Sequence, residues 1–164
     1  MTIKRYLLVA AFILLAYCNA LAGGVGTWKS YLAYSDVQWV EEGSNKLYVL
    51  ASNSLYTYNK NDQSIKTYDK VNGLSDTDIR FIAWNKPARR LVIIYSNNNI
   101  DLLDDRGNVT NVPDYYLKTT MADKTVNGID ISGVYCYLST GFGLVKLNVA
   151  KAEISDSYNL SFPV

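Results

Sequence analysis

The sequence predicts an all-β protein built as part of a β-propeller, and three observations carry that prediction. β-Branched and aromatic residues are dense, with 14 Tyr in the chain, while no apolar stripe holds a helical period. One strand pattern returns at steps of roughly 44 and 43 residues: Lys46 to Ser52 lines up with Arg90 to Ser96 and with Gly133 to Ser139. Three further strand types recur around it in the same order, and four antiparallel strands per repeat of this length is the period of a propeller blade. A set of unrelated hairpins or a Greek-key sandwich requires no such order.

The chain opens with Lys4 and Arg5, an uncharged apolar run from Tyr6 to Tyr17, and the small-x-small sequence Ala20-Leu21-Ala22. That is the pattern of an export signal, so residues 1–22 are expected to be removed and the mature chain to begin at Gly23. The apolar run is shorter than the ~20 residues of a membrane-spanning helix, and bulky Tyr17 before Cys18 fits a lipidation signal poorly. The destination is therefore beyond the inner membrane, in the periplasm or at the outer membrane surface.

Trp28-Lys29-Ser30-Tyr31 comes next and matches Ile65-Lys66-Thr67-Tyr68, so it reads as an outermost, closing strand without a blade of its own. The innermost strands are predicted at Asp36 to Val40, Asp78 to Ile82 and Thr125 to Ile129, each introduced by a short polar residue. After the second strands come Leu55 to Tyr58, Ile100 to Leu103 and Leu144 to Leu147, and the units end with Ile65 to Tyr68, Val109 to Val112 and Ile154 to Tyr158. Turn clusters such as Gly43-Ser44-Asn45 and Asn59-Lys60-Asn61-Asp62 punctuate them. The third blade already owns a fourth strand, so the Trp28 strand needs a partner from outside these residues. Propellers have roughly 4–8 blades. Residues 23–164 are thus expected to be the front part of a longer N-terminal propeller domain, with an inter-blade face uncovered at each end and no stable monomer of their own.

Composition removes most chemistry. The chain has no His, which excludes His-based triads, general bases and metal ligands. Sixteen basic against 15 acidic residues, or 14 against 15 once Lys4 and Arg5 are gone, leave no electrostatic footprint for nucleic acid. No metal site, cofactor motif or catalytic constellation is found, and a non-enzymatic role is expected. Asp104-Asp105 sits in a hairpin slot and Gly141-Phe142-Gly143 lacks the third glycine and helix of a phosphate loop; both read as turns. Glu41-Glu42, at a strand end, reads as a solvated pair. Cys136, the lone cysteine of the mature chain, lies in an apolar strand and reads as a buried thiol. Tyr48, Tyr56, Tyr58, Tyr135 and Tyr137 fall in strands, where packing between blades is the default.

Asn72-Gly73-Leu74-Ser75-Asp76-Thr77-Asp78-Ile79-Arg80-Phe81-Ile82 resembles the opening of the two-component-regulator type of propeller repeat, which implies as an alternative the extracytoplasmic sensor of a hybrid regulator. The signal followed by Gly26-Thr27-Trp28-Lys29-Ser30-Tyr31-Leu32-Ala33-Tyr34-Ser35-Asp36 is more similar to the N-terminal propeller of the PorZ family of Bacteroidota. That resemblance implies a surface component of the type IX secretion system that binds anionic lipopolysaccharide and assists its delivery to the sortase that attaches it to cargo. The loops joining one blade's last strand to the next blade's first, within 32–36, 70–78 and 118–125, are expected on one face. There Tyr34, Lys70, Asn72, Lys118 and Lys124 are the candidate ligand-binding residues, offering a ring, an amide and three ammonium groups.

Intact-mass analysis of exported protein is expected to give a chain starting at Gly23; retention of Met1, or a lipid on Cys18, overturns the export reading.

Overall fold

A computed structural model describes residues 34–119 and 123–159. The export signal expected at residues 1–22 and the strand expected at Trp28 to Leu32 lie outside the described residues. The rest forms three four-stranded antiparallel sheets. Blade 1 contains β1 (Val37–Glu42), β2 (Lys46–Ala51), β3 (Ser54–Asn59) and β4 (Ile65–Tyr68). Blade 2 contains β5 (Ile79–Asn85), β6 (Arg90–Tyr95), β7 (Ile100–Asp104) and β8 (Val109–Asn111). A short helix, α1 (Asp114–Leu117), precedes blade 3, which contains β9 (Val126–Ser132), β10 (Tyr135–Thr140), β11 (Gly143–Asn148) and β12 (Glu153–Asn159). Strand order within each sheet follows chain order, and β1, β5 and β9 stand side by side as the innermost strands. This is the partial propeller expected from the repeats.

Hairpin register corrects one alignment. Ala51, Tyr95 and Thr140 pair with Val37, Ile79 and Val126, so they are the equivalent ends of the second strands. The sequence match of Gly133–Ser139 to Lys46–Ser52 is therefore displaced by two residues. A slip of two leaves every side chain on its own face, and the apolar alternation gives no signal against it. The register also shows a bulge at the same point of all three innermost strands, inserting Gln38, Arg80 and Asn127.

Blade 2 is buried on both faces. Leu91, Ile93 and Tyr95 of β6 meet Tyr48, Leu50 and Leu55 of blade 1. The alternate residues Val92 and Ile94 join Cys136, Leu138, Val145 and Leu147 of blade 3. Burial pushes the Cys136 thiol up to about 12, so it is a neutral apolar filler, as its strand setting suggested. Tyr48 stacks on Trp84 across the first interface, with ring centres 5.2 Å apart. Its ring also explains Gly43, where a Cβ would lie 2.6 Å from Cε2 of Tyr48.

Polar ties repeat from blade to blade. At the end carrying the crossovers, the N–H groups of Ser52, Ser96 and Gly141 donate to the carbonyls of Asp36, Asp78 and Thr125, at 2.8, 3.0 and 3.1 Å. At the opposite end, Lys46 Nζ donates to the Asp105 carbonyl of the next blade at 2.8 Å. Its repeat equivalent, Arg90, donates from Nη1 to the Val149 carbonyl of blade 3 at 3.1 Å. Asp105 also pairs with Arg89 at 2.6 Å, so it does more than close its turn. Glu41 is likewise no solvated side chain: Oε1 accepts from the Trp39 indole at 2.7 Å and Oε2 from the Trp84 N–H of blade 2 at 3.1 Å.

Ile93→Ala removes a side chain with no solvent exposure from the middle of the first interface. Chemical denaturation is expected to show a loss of about 2–5 kcal/mol, and a loss below ~1 kcal/mol would show that the interface repacks.

Candidate functional site

The crossovers between blades carry the predicted residues, and their local chemistry decides which are free to act. In the first, the Asp69 carbonyl accepts the N–H groups of Asn72 and Leu74 at 3.1 and 3.0 Å, and its carboxylate accepts from Asn72 at 2.8 Å. Gly73 has φ +114°, a conformation that suits glycine. The turn drives Leu74 into the interface of blades 1 and 2. Ser75 N–H then donates to the wholly buried Asp101 at 2.8 Å, a carboxylate also held by the Tyr95 hydroxyl at 2.6 Å and the Asn111 amide at 2.8 Å. The Asn-Gly-Leu-Ser sequence is thus a docking turn. Asn72 contributes its main chain to that turn and is exposed.

Lys70 is also exposed, with its ammonium 3.9 Å from Asp76. It borders a cleft of about 540 Å³ that includes Asp69, Asp76 and Asp78. Burial raises the Asp76 carboxyl, but hydrogen bonds from Asn97 and Thr77 and the charge of Lys70 hold it below the usual range. An anion entering here meets more negative charge than positive.

The second crossover corrects one expectation. Pro113 leads into α1, a single helical turn in a chain whose sequence holds no helical period, and Tyr115 is buried beneath it. The Lys124 ammonium donates to the carbonyls of Tyr115, Tyr116 and Lys118 at 3.0, 2.9 and 2.8 Å, while the Tyr115 hydroxyl donates to the Lys124 carbonyl at 2.6 Å. All three proton-donor positions of this ammonium are occupied. Lys124 is a clamp on the end of α1 and is not a free ligand group, a role set by a fold-back that local sequence does not encode. Burial pushes the Tyr115 phenol up to about 12. Lys118 is exposed and shares a cleft of about 390 Å³ with Tyr115, Lys124, Phe142 and Ile154.

Tyr34 packs edge-on against Tyr56 at 5.7 Å between ring centres, on the outer side of blade 1, and burial raises its phenol. The five predicted residues therefore do not form one constellation. Lys118 and Lys124 share a cleft, Lys70 lines another, and Tyr34 belongs to a third surface. Sequence reading missed the third cleft, formed by Gln38, Trp39, Asn53, Arg80, Phe81 and Gly128 among others, with a volume of about 610 Å³. Its signal was the polar residue interrupting each innermost strand.

Three four-stranded blades joined by polar crossovers define part of a β-propeller, and the described residues hold no cluster of three or more metal-capable side chains. The chain belongs to the PorZ family, matching the family model described as "TSS9, PorZ, N-terminal beta-propeller domain" over residues 47–164. It is 39% identical to PorZ of Porphyromonas gingivalis, described as an essential bacterial surface component of the type IX secretion system, with a TM-score of 0.75. That match covers 81% of this chain and 18% of PorZ. The extracellular domain of the putative hybrid two-component system BT4673 of B. thetaiotaomicron is 18% identical, at a TM-score of 0.60, over 76% of this chain and 17% of that one. AztD of Citrobacter koseri is 14% identical, at 0.60, over 78% and 35%. The last two likenesses show the fold alone. A search of curated protein sequences finds no match. No helix among the described residues is long and apolar enough to cross a membrane.

Lys124→Ala frees three carbonyls at the end of α1 and is expected to lower the melting temperature by several degrees, a loss of about 1–3 kcal/mol. Lys70→Ala and Lys118→Ala, at exposed side chains, are expected to stay within ~0.5 kcal/mol of the parent. Equal melting of all three variants would overturn the clamp.

Proposed function

We propose that this chain is a non-enzymatic binding and scaffold part of the type IX secretion system, exported to the cell surface, where it assists delivery of anionic lipopolysaccharide to the sortase. The observation that carries this reading is the 39% identity to the P. gingivalis surface component across 81% of the chain. One feature supports it. The crossover rim carries exposed Lys70, Asn72 and Lys118 on frames anchored by buried residues.

The charged contacts assigned to the polymer are Lys118 and, more weakly, Lys70, whose cleft is acidic; Asn72 adds an amide. Tyr34 and Lys124 act as supports. The sensor alternative draws on the likeness to BT4673, which at 18% identity supports the fold alone.

In calorimetric titration against purified anionic lipopolysaccharide, the Lys70→Ala/Lys118→Ala double variant is expected to bind several-fold more weakly and with less salt dependence, at unchanged melting temperature. Unchanged affinity would remove the crossover rim from the binding surface.

A further inference from the structure

The inner ends of all three blades enclose the cleft of about 610 Å³ at the crossover rim. Most of its lining comes from the innermost strands β1, β5 and β9, with Leu50, Asn53 and Ser96 completing it. The shared bulge inserts Gln38, Arg80 and Asn127 at the same level of β1, β5 and β9. Bulges re-aim side chains and gather beside functional sites. One position further on, Trp39, Phe81 and Gly128 are equivalent, and all three line the cleft. The two rings stand on the neighbouring strands β1 and β5, and the equivalent position on β9, beyond them, carries no side chain.

The Trp39 ring and the Arg80 guanidinium are open to solvent. Trp39 is 57% exposed, an uncommon exposure for a ring with so much apolar surface. Arg80 is exposed, its guanidinium carbon 5.4 Å from the centre of the Phe81 ring. No carboxylate lies within 4.0 Å of it among the described residues. Glu41, on the strand that carries Trp39, has both oxygens engaged by Trp39 and Trp84. Gln38 and Asn53 hold each other through Gln38 Nε2 to Asn53 Oδ1 at 2.9 Å and Asn53 N–H to Gln38 Oε1 at 3.0 Å, and Asn53 Nδ2 donates to Asp78 Oδ1 at 2.6 Å, so the amide edge is fixed and the nearby carboxylate is engaged.

A half-exposed indole offers an apolar plane to the C–H face of a sugar ring, amides suit its hydroxyls, and an unpaired guanidinium forks onto a carboxylate or phosphate. We propose that this cleft is a subsite for one anionic sugar unit, with Trp39 as the stacking plane and Arg80 as the partner of the acidic group. This deepens the lipopolysaccharide reading and rests on it for the polymer that supplies such a unit.

The test titrates the full chain with sodium glucuronate, glucose 6-phosphate, glucose and inorganic phosphate. Glucuronate or glucose 6-phosphate is expected to saturate the site, with glucose and phosphate at least tenfold weaker; the stronger of the two identifies the acidic group. Arg80→Gln, a change at an exposed side chain, should abolish the preference for the acidic sugar while melting as the parent does. Trp39→Ala should weaken all three sugars at least tenfold, and Trp39→Phe should restore much of the loss. Equal binding of glucose and the acidic sugars, or an Arg80→Gln variant with unchanged preference, overturns the subsite. Lipopolysaccharide binding without acidic-sugar binding overturns the subsite and leaves the rim reading standing. Acidic-sugar binding without lipopolysaccharide binding does the reverse.

Discussion

Five consecutive side chains, Leu91 to Tyr95, have no solvent exposure, and the rest of the structure depends on that burial. In a strand successive side chains point to opposite faces, so full burial of β6 requires a sheet on each side. Blade 1 covers Leu91, Ile93 and Tyr95, and blade 3 covers Val92 and Ile94. Each fully buried aliphatic side chain contributes on the order of 1.5–3 kcal/mol relative to exposure. The middle blade is the keystone, and the other two owe their orientation to it.

Hydrophobic contact is not directional, so it brings blades together without setting their height or tilt. The polar ties supply that. Lys46 and Arg90 reach from equivalent positions to main-chain carbonyls of the following blade, and Glu41 joins β1 to the Trp84 N–H of β5. Buried Asp101 fastens the first crossover through Ser75, and Lys124 fastens the second through three carbonyls. The crossovers are therefore held as surfaces of fixed shape. Preorganised polar groups lose less entropy on binding than mobile loops do, which suits a rim proposed to meet a polymer.

Charge separates the clefts. The Lys70 cleft contains three aspartates, and the Lys124 ammonium is consumed by the fold. Arg80 stands beside two aromatic rings with no acidic partner among the described residues. The axis side of the innermost strands thus combines apolar planes with a cation in a way that neither crossover does.

Strand alternation and turn chemistry are local properties, and the sequence by itself determined the twelve strands, their order in three blades, and the burial of Cys136. β-Strand periodicity has a period of two, so it left the third repeat two residues out of register; pairing of Thr140 with Val126 decided the matter. The Asn-Gly-Leu-Ser turn was legible as a turn, but its anchor Asp101 lies 26 residues from Ser75. Lys124 looked like a free ammonium because the carbonyls that bind it are brought back by the fold of α1. Trp39, Phe81 and Gly128 come from three different blades, and only the side-by-side packing of β1, β5 and β9 makes one cleft of them. Tertiary structure decided these cases because each depends on groups from separate blades or turns meeting in space, which no local pattern of residues specifies.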